Sequence, residues 1–102
     1  MGPTIAILLA AGESRRMGRL KALLPWQGST LLEHQVNSLL EGGVDQVVVV
    51  LGHRAPELAA KLNGKVGASC TVNPDYLQGK TTSLKAGVRS AKDFQPSVIL
   101  IL

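Results

Sequence analysis

A chain of 102 residues with one cysteine cannot close an internal disulfide, and that thiol, Cys70, belongs to no paired Cys or His spacing that would build a zinc site. The expected compartment is therefore the reducing cytoplasm. Aromatics are equally scarce: one Trp, one Tyr and one Phe provide no stacking platform for single-stranded nucleic acid. Charged residues make up 18% of the chain and sum to +4, too few for a disordered or polybasic protein and too modest to argue for a nucleic-acid partner. Long apolar runs are missing. The longest, Ile5 to Ala11, falls far short of the roughly 18 residues a membrane helix needs, so no membrane partner is expected. No Lys or Arg precedes that run, which argues against a secretory signal, and Met1 to Pro3 reads as a disordered lead-in.

What is present is an alternation of apolar runs with segments of helical period, the pattern of a mainly parallel sheet with helices on both faces. Thr4 to Leu9 reads as a doubly buried strand. Residues 10 to 21 are small, glycine-bearing and basic and read as a long loop. Thr30 and Glu33 form a capping box, Leu31, Leu32, Val36, Leu39 and Leu40 make one helical stripe, and Gly42-Gly43 stops it. Gln46 to Leu51 is a second buried strand, and Pro56 to Gly64 brackets a short helix. Val66 to Val72 is a third strand, and Asn73-Pro74-Asp75 breaks it as a turn. Thr81 or Thr82 is expected to cap a third helix bearing Leu84, Val88 and Ala91, and Val98 to Leu102 is a further buried-type strand. The reading is a Rossmann-like, doubly wound α/β sheet truncated after about four strands. The fourth strand is expected beside the first. Because five large apolar residues at the end lack cover, residues 1–102 are expected to be the N-terminal, nucleotide-binding part of a larger domain.

In such a sheet ligands gather at the carboxyl ends of the strands where the strand order reverses, which directs attention to residues 10 to 21. Ala10, Ala11 and Gly12 allow close backbone approach, and Arg15, Arg16, Arg19 and Lys21 set four cations within seven residues. A polyphosphate ligand fits this composition. A nicotinamide dinucleotide does not, because GxGxxG is absent and five residues separate Gly12 from Gly18. Gly79-Lys80-Thr81 mimics the end of a P-loop, but Pro74 stands where that motif needs glycine.

Leu9-Ala10-Ala11-Gly12-Glu13-Ser14-Arg15-Arg16-Met17-Gly18, followed by Lys21 and Leu24-Pro25, resembles the LAAGxSxRMG…K signature of the MobA-like nucleotidylyltransferases. Within that family it is most similar to the molybdenum cofactor cytidylyltransferases, whose LAAG contrasts with the LAGG of guanylyltransferases, so Ala11 favours CTP over GTP. The similarity continues through Thr30-Leu31-Leu32-Glu33, Val47 to Gly52, Asn73-Pro74-Asp75, Gly79, Ser83-Leu84 and Ala86-Gly87. It implies the nucleotide-diphospho-sugar transferase type of sheet, and backbone wrapping of the nucleotide by Leu9, Ala10, Ala11 and Gly12. Arg16 and Lys21 would be the catalytic cations that neutralise the triphosphate, with Ser83, Gly79 and Thr82 at base-contacting positions. Leu20, where relatives often carry Pro or Asp, and Lys80-Thr81-Thr82, in place of a Met-Ser-Ser-like stretch, depart from the pattern.

The implied reaction is attack by a phosphate oxygen of a pterin acceptor, molybdopterin or its molybdenum-loaded form, on the α-phosphorus of CTP. CMP is transferred and pyrophosphate leaves. The resemblance implies Mg²⁺ in the full-length protein, held by an aspartate just after the strand at Val98 to Leu102, and a molybdenum hydroxylase or its chaperone as protein partner. With no metal ligand of its own, the chain is expected to bind nucleotide weakly and to be inactive alone. The rivals are a sugar- or alcohol-phosphate nucleotidylyltransferase and a non-catalytic nucleotide-binding accessory domain for a molybdenum enzyme. Elsewhere plainer readings prevail: His34 faces solvent, His53 is a loop residue, Asp75 forms a turn, Cys70 is a small buried hydrophobe and Trp26 anchors its loop beneath Leu23 and Leu24.

Overall fold

The structure, a computed structural model, describes residues 2–12, 15–16 and 19–102, including side chains except at 15, 16, 19 and 20. Its elements run β1 (Thr4–Ala10), β2 (Arg15–Arg16), β3 (Arg19–Leu20), β4 (Pro25–Trp26), β5 (Ser29–Thr30), α1 (Leu31–Glu41), β6 (Gln46–Leu51), α2 (Ala55–Lys61), β7 (Ala68–Val72), α3 (Lys80–Lys92) and β8 (Val98–Ile101). Short 3₁₀ turns lie at Lys21–Leu23 and Tyr76–Gln78.

Four strands form one parallel sheet in the order β7-β6-β1-β8. The chain moves outward from β1 to β6 to β7 and then returns to the opposite side of β1. The reversal of order therefore falls between β1 and β8, and the last strand lies beside the first as expected. In β1 and β6 consecutive residues alternate between faces. Ala6, Leu8, Val47, Val49 and Leu51 pack with Leu32 and Val36 of α1 and Leu58 of α2, while Ile5, Ile7, Val48 and Val50 pack with Ala91 of α3. Both faces being covered explains why these strands are unbroken apolar runs. The fit under α3 is close: a Cβ on Gly87 would lie 2.5 Å from Ile7 Cγ2, so only glycine lets the helix settle on the sheet.

Thr30 and Glu33 make the expected capping box, with Glu33 N–H donating to Thr30 Oγ1 at 3.3 Å and Thr30 N–H donating to Glu33 Oε1 at 3.1 Å. Other expectations change. Gly79, not Thr81 or Thr82, is the N-cap of α3; its φ of 117° suits glycine, and Thr82 instead turns its hydroxyl back to donate to the Gly79 carbonyl at 2.7 Å. Val66 is 91% exposed and lies before β7, because the strand begins only where it can pair with β6. Cys70 is exposed, since β7 is an edge strand that its neighbours cover incompletely. Gly2 and Pro3, expected as a free lead-in, are tied down by Gly2 N–H donating to Ser97 Oγ at 2.6 Å and Ser97 N–H to the Pro3 carbonyl at 2.9 Å.

The basic stretch is less loop-like than its composition suggests, for β2 and β3 pair antiparallel across it. A second small hairpin, β4–β5, turns through Gln27 and Gly28, both at positive φ. It holds Trp26 against the His34 ring at a centroid distance of 4.9 Å, leaving the indole 43% exposed. Trp26 therefore packs on α1 through His34, which is itself half-buried. β8 pairs with β1 along one edge, and Val98, Leu100 and Ile101 are exposed.

Candidate functional site

Where β1 leaves the sheet, its neighbours fix the path of the chain. Leu9 N–H donates to the Leu102 carbonyl at 3.0 Å, and the Ala11 carbonyl accepts from His53 N–H at 2.9 Å, so residues 9 to 11 are held between the chain ends following β8 and β6. His53 thus serves this turn through its backbone. Its ring approaches the Tyr76 hydroxyl at 3.5 Å. Gly52 makes room for that tyrosine, because a Cβ there would lie 2.6 Å from Tyr76 Cβ.

Above this turn, at the β1/β8 reversal, lies a cleft of about 450 Å³ lined by Leu8 to Gly12, Lys21, Ala22, Leu31, Gln35, Tyr76, Lys80, Ser83 and Leu102. The fold thereby brings together Leu9, Ala10, Ala11, Gly12, Lys21 and Ser83, which are far apart in sequence. Among the described residues, no protein atom lies within 4 Å of a Cβ built on Gly12. Lys21 begins the 3₁₀ turn on one side, and that turn is closed by Leu24 N–H donating to the Lys21 carbonyl at 3.1 Å.

The opposite wall is α3, whose first turn is set by Asn73. This asparagine is buried, and its Nδ2 donates to Thr82 Oγ1 at 2.8 Å and to Ser83 Oγ at 2.9 Å, while its Oδ1 accepts from Asp75 N–H at 3.0 Å. The last bond makes the expected Asx turn at Asp75. Ser83 is buried with its residue at the cleft wall. Thr82 and Gly79 are not among the cleft-lining residues; Thr82 spends its hydroxyl on Gly79 and Asp75 carbonyls and on Asn73. The Arg16 side chain, and those of Arg15 and Arg19, lie outside the described residues. Gln35, Tyr76 and Lys80 enter the cleft without having been singled out for a role in it. Gln35 had a signal, since it stands four residues beyond Leu31 and so shares its face of α1.

Chemically, the described lining carries two lysines, backbone amides, the Ser83 and Tyr76 hydroxyls, the Gln35 amide and no Asp or Glu side chain. Such a wall attracts anions and positions them. Among the described residues no group of three or more His, Cys, Asp or Glu could hold a metal ion, and no helix is long and apolar enough to cross a membrane.

The architecture and this chain's sequence have clear counterparts. A nucleotidyl transferase from Methanothermobacter superposes with a TM-score of 0.83 at 34% identity, covering 97% of this chain and 49% of that one. The molybdenum cofactor cytidylyltransferase of Escherichia coli (strain K12) is 38% identical over 80% of this chain and 42% of its own length. Nicotine blue oxidoreductase of Paenarthrobacter nicotinovorans is 42% identical over 83% of this chain and 42% of its own. The chain thus spans about half the length of these relatives or less. Residues 6–102 match the profile of the MobA-like NTP transferase domain, and the chain belongs to that family.

Proposed function

We propose that the cleft at the β1/β8 reversal binds CTP and that the protein of which residues 1–102 form the nucleotide-binding part transfers CMP to molybdopterin or its molybdenum-loaded form, releasing pyrophosphate. The observation that carries this reading is the convergence of Leu9 to Gly12, Lys21 and Ser83 on one cleft in a fold of nucleotidyl-transferase type. Backbone amides of residues 9 to 12 wrap the nucleoside, Lys21 answers the phosphate charge, and Arg16 is assigned the same duty. Ser83 is the base-proximal residue on the cleft wall, and Gly79 and Thr82, outside the lining, are assigned a supporting role, Thr82 through its bonds to Asn73 and Gly79. Ala11 supports cytosine through the resemblance of its LAAG segment to cytidylyltransferases.

Catalysis in this reading is positioning and charge neutralisation: the acceptor oxygen bonds to the α-phosphorus as the bond to the pyrophosphate oxygen breaks. The implied Mg²⁺ does not fit the donor set of the described residues, which brings lysines, hydroxyls and an amide but no Asp or Glu side chain to the cleft. No step is therefore assigned to the metal here. A pterin phosphate as acceptor and a molybdenum hydroxylase or its chaperone as recipient complete the proposal, with the cytoplasm as its compartment.

Titration calorimetry with CTP, GTP, ATP and UTP tests the nucleotide assignment. Preferential CTP binding is expected. Equal affinity for all four would remove the base assignment, and no binding of any would remove the site. Isotopic CTP–pyrophosphate exchange is expected to be negligible with this chain and robust in a protein that also supplies the metal ligands.

A further inference from the structure

The Gly79-Lys80-Thr81 triplet fails as a P-loop by its spacing, yet the fold places its lysine in the nucleotide cleft. Lys80 is the first residue of α3 and lines the same cavity as Lys21, with the 60 or so intervening residues folded between them. No ion pair of either lysine is seen among the described residues, and the described cleft lining has no Asp or Glu side chain. Two lysines lining one cleft with no acidic side chain beside them favour a multiply charged anion over a singly charged one. A monoanion would satisfy one of them, whereas a polyphosphate spans both.

We propose that Lys80 is a substrate-contacting residue that grips the phosphate chain from the α3 wall while Lys21 grips it from the other, so that the cleft recognises polyphosphate by a pair of lysines. This rests on the nucleotide-binding reading above. It explains what a flexible point charge does at the start of α3. Gly79 before it adopts φ 117°, and a Cβ built on it would meet no described protein atom within 4 Å.

The test is calorimetric titration of CTP, CDP, CMP and inorganic pyrophosphate into the wild-type chain, K80M, K80R, K21M and the control K92M. Wild type is expected to bind in the order CTP, CDP, CMP, and K80M to lose about tenfold for CTP and pyrophosphate but little for CMP. K80R is expected to restore most of the loss, and K92M, an exposed change at the far end of α3, to resemble wild type. A K80M protein with wild-type affinity for CTP and pyrophosphate, while K21M is weakened, would overturn the role of Lys80 alone. Failure of wild type to bind any of the nucleotides would instead overturn the underlying nucleotide reading. Loss in K80M that K80R does not recover, with an unchanged melting temperature, would also count against charge recognition.

Discussion

The side-chain amide of Asn73 reaches Ser83 Oγ at 2.9 Å, joining the turn after β7 to the first turn of α3 ten residues later. The same amide holds Thr82, so one buried group fixes the wall on which Ser83 and Lys80 stand. Replacing it as N73A strands the buried Ser83 hydroxyl and removes one of the three partners of Thr82. The expected cost is about 1–3 kcal/mol by denaturant unfolding, with weaker CTP binding. An unchanged unfolding midpoint would show that the wall does not depend on this bond.

Gly12 tests whether the space beside the β1 turn is reserved for ligand. A methyl group there meets no described protein atom within 4 Å and its backbone is not left-handed, so G12A should melt within a few degrees of wild type. Its CTP affinity should nevertheless fall about tenfold, because the methyl occupies the path of the nucleotide backbone contact. Wild-type affinity in G12A would move the nucleotide away from this turn.

Gly87 makes the opposite prediction. G87A drives a methyl to 2.5 Å from Ile7 Cγ2 and 3.0 Å from Val50 Cγ2, and the overpacking is expected to cost about 1–3 kcal/mol. Thermal melting reads it directly, and an unchanged melting temperature would mean that α3 shifts freely on the sheet.

Removal of the α1 cap by T30A is expected to cost about 1 kcal/mol, since it frees the Glu33 N–H and deprives the Glu33 carboxylate of the hydroxyl donor at 2.8 Å. Urea unfolding of T30A and T30S separates the cap from packing: serine should recover most of the loss.

Cys70 is exposed on β7, yet partial desolvation by its surroundings raises its thiol pKa above the ordinary value. Because the folded pKa lies above the unfolded one, the group favours folding below the unfolded pKa and loses that contribution as pH rises towards the folded one. Iodoacetamide should therefore modify the folded chain more slowly than the urea-unfolded chain near pH 8.5, the gap narrowing at higher pH. Equal rates would refute the shift.

The strands and helices were legible because their cause is local or periodic. Four adjacent valines, Val47 to Val50, demand a sheet with both faces covered, and Thr30 with Glu33 announces a helix start within four residues. That Leu9 to Gly12 leave the strand as a turn was legible for the same reason: the small residues are adjacent in the chain, and the structure places them in the cleft lining. The cap of α3 was misread as a threonine because side-chain chemistry was weighed, while the deciding term was a backbone φ that only glycine accepts readily. The Trp26–His34 contact was not legible because it depends on a tight hairpin through Gln27 and Gly28 at positive φ.

By itself the amino-acid order determined the alternation of buried strands and amphipathic helices, and the glycine-bearing turn at Leu9 to Gly12. Only the tertiary structure decided which distant groups share the cleft, Gln35, Tyr76, Lys80 and Ser83 among them, and that Asn73 organises its α3 wall. Periodicity is set by bonds along the chain, whereas a cleft wall is set by which helix ends meet which strand ends. That depends on the packing of α3 over Gly87, which no local pattern contains.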